Sequence, residues 1–248
     1  LIYGLPLQTQ HGFRKTLEEV NKMRPDRLAI YSFAYLPGMF KTHKRAIREK
    51  DLPSPEEKIA IYLETIRFLA EAGYVMIGMD HYALPTDELA LAAKNRTLHR
   101  NFMGYTNLHK MAQIGVGVSA ISDFGDSYWQ NTKEIDQYMN EATEKKLIPR
   151  KGMTLDEEDL LRRDLIETLM CHGEISIPDF EIRYKIEFQD HFSQAWKKLE
   201  QFKQEGLVNL SLEKIELTHV GVLFTRNLAM PFDRYLEESA HQHFSKTV

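Results

Sequence analysis

Apolar positions in this chain recur with two different periods. Leu1-Ile2-Tyr3-Gly4-Leu5-Pro6 is a short β-favouring run entering a Gly/Pro loop, which predicts a buried strand. Over residues 12–23, Phe13, Leu17 and Val20 fall at helical spacing, and Pro25-Asp26 ends the pattern. Residues 27–36 predict a second strand, closed by Pro37-Gly38. Ser54, with Pro55 next and Glu57 three residues on, has the spacing of a capping box. The helix it opens carries Ile59, Tyr62, Leu63, Ile66, Phe68 and Leu69 and ends at Gly73. Residues 74–79 predict a third strand running into Asp80-His81. Strands alternating with helices through short connections indicate βα units and a parallel sheet.

Residues 85–98 predict a helix with loop ends, and 99–106 a loop or short strand. Residues 114–122 are β-rich, with Gly115 and Gly117 marking a close approach of backbone to something else. An exposed helix is expected over 131–146. The tail differs in character. Thr154 and Glu157 have capping-box spacing ahead of Leu161, Leu165 and Leu169, and Gly173 is placed as a C-cap. Helices near 178–188 and 191–205 precede a hairpin of 207–210 with 214–217, and a final helix follows Thr218. The expected fold class is therefore α/β plus α+β. Its parts are βα units over residues 1–150 and a mostly helical, winged-helix-like domain over 151–248.

Composition narrows the function. The 248 residues include one cysteine, Cys171, which excludes a disulfide framework or a cysteine-rich metal site built from this chain. No apolar run approaches the ~20 residues of a membrane span, so the expectation is a soluble, cytoplasmic protein. The net charge of −4 divides unevenly, with 20 basic against 18 acidic residues up to position 150 and 12 against 18 beyond it. A winged helix that reads DNA needs a basic footprint. This one carries −6, so a packing module is favoured over a nucleic-acid reader. The opening run needs neighbours on both sides. It reads equally as the tail of something longer or as a first strand that has lost its Met. Its first ten residues hold no Lys, Arg, Asp or Glu. An unguarded edge of that kind is expected to self-associate, or to leave the segment disordered.

The candidate chemistry is sparse. Gly115-x-Gly117 lacks the rest of a dinucleotide fingerprint, and no P-loop, Gly-x-Ser-x-Gly or His-Glu-x-x-His is present. The residues single out no catalytic group and no metal ligand. His81 stands either at a strand end facing a site or bonded to its own loop. The basic run from Lys41 to Lys50 reads as a solvated face. Arg100 sits between His99 and Asn101, beside Phe102 and ahead of Gly104-Tyr105. A guanidinium fork beside rings suits a flat ligand bearing a carboxylate.

A series of segments occurs in order: Leu1-Ile2-Tyr3-Gly4-Leu5-Pro6, Pro25-Asp26-Arg27-Leu28, Ala34-Tyr35-Leu36-Pro37, Asp51-Leu52-Pro53-Ser54-Pro55, Gly78-Met79-Asp80-His81, His99-Arg100-Asn101-Phe102, the run from Gly115 to Ile121, and Arg226-Asn227 with Phe232-Asp233. Together they resemble the oxygen-independent coproporphyrinogen III oxidases, radical S-adenosylmethionine enzymes of haem biosynthesis. The resemblance implies the C-terminal part, slightly over half, of such an enzyme: the last βα units of a partial (β/α) barrel followed by a C-terminal domain. It implies a [4Fe–4S] cluster and S-adenosylmethionine as cofactors of the full-length parent, and coproporphyrinogen III as substrate. The three-cysteine loop that holds the cluster in that family is absent here, so the chain alone is expected to be inactive. By resemblance Ala34 lies at a second S-adenosylmethionine site, and the backbone of Ile121 contacts the cluster-bound one. Phe102 and residue 103 line the active site, where Met103 replaces the family's usual Gln and Ala112-Gln113 replaces Asp-Leu. The alternative is a haem- or porphyrin-binding relative without radical chemistry.

Overall fold

The first strand, β1 (Ile2–Tyr3), leads to Thr9, whose hydroxyl accepts from the Gly12 N–H and caps α1 (Gln10–Met23). The computed structural model describes residues 1–38, 41–109, 111–144 and 149–238. Where the sequence predicts one strand over 27–36 there are two, β2 (Arg27–Ala29) and β3 (Tyr31–Ser32), which enter different sheets. β3 pairs with β1 in parallel, Ile2 opposite Tyr31. α2 (Lys41–Ala46) carries part of the basic run; the side chains of Lys41 and Lys44 lie outside the described residues. Arg48 pairs with Asp51 and is exposed.

α3 (Pro55–Glu71) begins as its sequence predicts. The Glu57 N–H donates to the Ser54 hydroxyl at 3.2 Å, and the Ser54 N–H donates to the Glu57 carboxylate at 2.8 Å. Its buried face, Ile61, Tyr62, Phe68 and Leu69, packs against Phe13 and Leu17 of α1 and against Tyr3 and Leu28. Next come β4 (Val75–Met76) and β5 (His81–Ala83). They correct the expectation of a wholly parallel sheet, because β2, β5 and β4 form an antiparallel sheet in that order. The chain folds back on itself before Asp80, with the Ile77 N–H donating to the His81 carbonyl at 3.0 Å. Gly78 is required there, since a Cβ would lie 2.1 Å from the Tyr105 ring.

α4 (Glu88–Lys94) is capped by Asp87. Residues 99–106, open between loop and strand in the sequence, form a hairpin of β6 (His99–Asn101) and β7 (Gly104–Thr106). The β-rich run becomes strand only at β8 (Ile121–Asp123), which pairs antiparallel with β9 (Ser127–Asn131). The exposed helix predicted over 131–146 is shorter, α5 (Ile135–Thr143), because Asn131 belongs to β9; residues 145 and 146 lie outside the described residues. β10 (Pro149–Thr154) completes this sheet.

The cap of α6 (Glu157–His172) is a second correction. Thr154 closes β10, and the box is formed two residues later by Asp156 and Asp159. Gly173 is the left-handed C-cap, as predicted, with φ +68°. β11 (Glu174–Ser176), α7 (Ile177–Tyr184), α8 (Phe188–His191) and α9 (Ser193–Gln204) follow, then the hairpin β12 (Val208–Leu210) and β13 (Lys214–Leu217). β11 adds to the other edge of β13, making three antiparallel strands where the sequence suggests two. The chain closes through α10 (Thr225–Ala229) and α11 (Tyr235–Glu238). Leu165, Leu169, Phe188, Leu199, Ile215, Leu228 and Phe232 form one buried core here. No helix among the described residues is long and apolar enough to cross a membrane.

The three-stranded sheet carries a pH-sensitive contact. Arg96 pairs with Glu174, Lys214 lies 2.5 Å from the same carboxylate, and together they hold its pKa down at about 2 against the opposing effect of burial. A carboxyl depressed on folding contributes stability that is complete above its unfolded value of ~4.3 and is lost as pH falls through the folded one. The denaturation midpoint of the native chain should therefore drop as pH falls from ~5 towards ~2, and drop less steeply in Glu174→Gln. Identical slopes for the two proteins would show that this pair contributes nothing.

Candidate functional site

The β6–β7 hairpin is tied to α6 at its base. Glu167 lies 3.2 Å from His99 Nδ1 and accepts the Arg100 N–H at 3.2 Å. His109 Nδ1 approaches His99 Nε2 to 2.7 Å. The hairpin then sends its candidate residues in opposite directions. Arg100 turns to α6, with its guanidinium 5.3 Å from the Tyr105 ring centroid and Nη1 4.0 Å from the Met170 sulfur. Its Nε is buried and has no partner among the described residues. Phe102 is 55% exposed, and its ring meets Tyr128 of β9 edge-on at 5.0 Å. Met103 is 80% exposed at the turn, its N–H donating to Asn101 Oδ1 at 2.8 Å.

Tyr105 is the floor of this arrangement. It donates to the Met170 carbonyl at 3.3 Å, and burial pushes its hydroxyl pKa up to about 12. His81 meets the Tyr105 ring edge-on and is held by Asp80, Oδ1 to Nδ1 at 2.5 Å, so it bonds to its own loop.

Ile121 begins β8, beside the strand that carries Tyr128. Gly115 packs so closely on it that a Cβ would stand 2.5 Å from the Ile121 carbonyl oxygen, the close approach expected of this run; Gly117 has open space instead and a φ of +114°. Two residues on, buried Asp123 accepts from both Nη atoms of Arg163 on α6, at 3.2 and 2.6 Å. Phe102 thus packs on the sheet at Tyr128, the partner of Asp123, and Ile121 lies two residues away along β8, opposite Gln130.

Ala34 stands apart from them. It lines two cavities at once. One, of about 170 Å³, has Tyr3, Tyr31, Phe33 and Tyr62 as walls, with Asp80 and Arg226 at its polar end. The other, of about 400 Å³, is lined by Gly4, Phe33, Pro37 and Lys58. Arg100, Phe102, Met103 and Ile121 line neither.

Lys58 is absent from the residues the sequence singles out, and Arg226 enters there only within the Arg226-Asn227 segment of the resemblance, with no role attached. Lys58 Nζ donates to the Phe33 carbonyl at 3.4 Å, and burial pulls its pKa below the usual lysine value. Its signal is visible in retrospect, because a lysine one turn before Ile61 and Tyr62 occupies the apolar stripe of α3. Arg226 gives no comparable signal, since only the tertiary fold brings α10 to β3.

Comparison with known proteins places this geometry. Residues 155–224 match the family described as the HemN C-terminal domain. The whole chain is 43% identical to 54% of the oxygen-independent coproporphyrinogen III oxidase of Pseudomonas aeruginosa, and 43% identical to the same share of the Escherichia coli protein of that name. It is 37% identical to the Thermostichus vulcanus protein, of which it covers 76%. Among solved structures, 95% of the chain superposes on 54% of "Coproporphyrinogen III oxidase (HemN) from Escherichia coli", described as a radical SAM enzyme, with a TM-score of 0.89 and 43% identity. The chain therefore spans about half the length of several curated relatives it matches.

Proposed function

The chain belongs to the oxygen-independent coproporphyrinogen III oxidase family, and from that premise we propose that it serves as the C-terminal part of such an enzyme. The reaction is the oxidative decarboxylation of two propionates of coproporphyrinogen III to vinyl groups, giving protoporphyrinogen IX by radical chemistry. The observation that carries this reading is its likeness to these enzymes along the entire chain rather than in one motif. In fold terms the first part, up to about residue 150, supplies the last βα units of a partial barrel, and the remainder a winged-helix-like domain. α6, β11, α7, α9 and the β12–β13 hairpin support the second assignment.

The chain's residues do not fit the [4Fe–4S] cluster. Its single cysteine lies buried on α6, where burial pushes the thiol pKa up to about 12, the reverse of what a metal thiolate needs. Among the described residues no group of three His, Cys, Asp or Glu side chains could hold a metal. S-adenosylmethionine fits better. The ~400 Å³ cavity beside Ala34 falls within the range of small-molecule sites, and the crowded Gly115–Ile121 backbone offers a second contact. When bound, that cofactor supplies the radical chemistry; Ala34 and Ile121 contribute shape and backbone contact. Phe102 and Met103, both exposed, are assigned to the substrate. Met103 cannot supply the donors and acceptor of an amide.

Two measurements test this. Iron-loaded, reduced chain is expected to release no deoxyadenosine from S-adenosylmethionine, and stoichiometric release would refute the assignment of the cluster to another part of the enzyme. The chain should nonetheless bind S-adenosylmethionine or coproporphyrin III in solution. Arg100 is proposed to meet a substrate carboxylate through its guanidinium, which packs here over Tyr105 and beside Met170 with its Nε buried. Arg100→Ala should weaken coproporphyrin III binding by about 1.5–3 kcal/mol, the range of a hydrogen bond to a charged group. Unchanged affinity with intact folding would make Arg100 a packing residue on α6.

A further inference from the structure

The ~170 Å³ cavity joins two parts of the chain that are far apart in sequence. Its aromatic walls include residues of β1, β3 and α3, and Phe224, Arg226 and Asn227, at the start of α10, line it as well. The backbone there is fixed. Leu228 and Ala229 are buried, and the Thr225 hydroxyl donates to the Val222 carbonyl at 2.7 Å. The Arg226 side chain is exposed and makes neither a hydrogen bond nor an ion pair among the described residues. Asp80 lines the same cavity but is already held by His81 at 2.5 Å. Both charges reach the Tyr3 hydroxyl at the cavity wall. There burial raises the pKa, Ser32 and Arg226 lower it, and Asp80 raises it. An unpaired guanidinium at the end of an aromatic slot is a fork without an acceptor, and a carboxylate matches it in charge and geometry. The slot is close in size to a ~150 Å³ cavity that takes one benzene. It admits a single arm of a ligand and excludes a macrocycle.

We infer that Arg226 and this cavity form a carboxylate-binding site, which takes one apolar or slender arm ending in a carboxylate. The site rests on the proposed function only for the choice of ligands, which offer two such arms: a propionate of the porphyrin and the aminocarboxylate of S-adenosylmethionine. Native chain, Arg226→Gln and Arg226→Lys would be titrated with coproporphyrin III by fluorescence and with S-adenosylmethionine by equilibrium dialysis. Folding of each variant would be checked by circular dichroism. Arg226→Gln should weaken binding of one of the two ligands by roughly 10- to 100-fold, and Arg226→Lys, which keeps the charge without the fork, should fall between. If the porphyrin is the ligand affected, the arm is a propionate. If S-adenosylmethionine is affected, and Asp80→Asn weakens it as well, the arm is an aminocarboxylate with its ammonium towards Asp80. Native binding that neither Arg226 variant changes would overturn the site while leaving the proposed function standing. Failure of the native chain to bind either ligand would overturn the proposed function and the site with it.

Discussion

Phe188→Ala is expected to lower the unfolding free energy by about 3–5 kcal/mol, the range for removing a large aromatic from a core. Phe188 has no solvent exposure. Its ring is in edge or tilted contact with Phe180, Phe192, Trp196 and Phe232, at centroid distances from 4.9 to 6.4 Å. Truncation removes apolar burial and leaves a cavity walled by rings on short helices, which have little room to collapse. Urea denaturation checks this through a lower midpoint at unchanged slope. Phe102→Ala is the control, since that ring is more than half exposed and its loss should cost under ~1 kcal/mol. Equal losses for the two variants would contradict the placement of the core.

Arg163→Ala should be nearly as damaging, at about 3–5 kcal/mol, because it leaves the charge of Asp123 buried and uncompensated. Asp123 is 6% exposed and receives both Nη atoms of Arg163. Arg163 also donates to the Gly125 carbonyl at 3.1 Å and lies over the Tyr128 ring. The diagnostic is a double-mutant cycle. Arg163→Ala with Asp123→Ala should be less destabilised than Arg163→Ala alone, because the orphaned charge is gone. Additive losses would mean that the two side chains do not depend on each other. Asp123 lies two residues from Ile121 on β8, so loosening this pair also loosens the strand proposed to meet S-adenosylmethionine.

Local signals in the sequence translated well. Ser54, Pro55 and Glu57 open α3 as their chemistry requires, and Gly173 closes α6 in the left-handed conformation. The misplaced cap of α6 shows the limit of such signals. Thr154 and Asp156 both head box spacings, and the choice fell to Asp156 because β10 pairs with β9 as far as Thr154, so the helix cannot start until the strand has ended. Non-local pairing was the least legible feature. Nothing within Glu174-Ile175-Ser176 announces a strand; it forms because β13 has an open edge and Gly173 aims the chain at it. The same holds for the antiparallel β2–β5 pairing, which depends on Gly78 tucking under a tyrosine 27 residues further along. Of the candidate site, the polar, aromatic and Gly-bearing character of residues 99–106 was legible from composition, but its closure into a hairpin was not. The direction of Arg100 was not, because its destination, Met170, belongs to another element.

α6 serves two masters. Leu161, Leu165 and Leu169 lie in the C-terminal core, whereas Cys171 packs with Ile77, Leu98 and Tyr105. Arg163 and Glu167, from the same helix, grip β8 and the β6–β7 hairpin. A helix of 16 residues is a rod roughly 24 Å long, and neither core is complete without it. Melting of either half must fray the rod that the other half leans on, so the two halves are bound into one cooperative foldon.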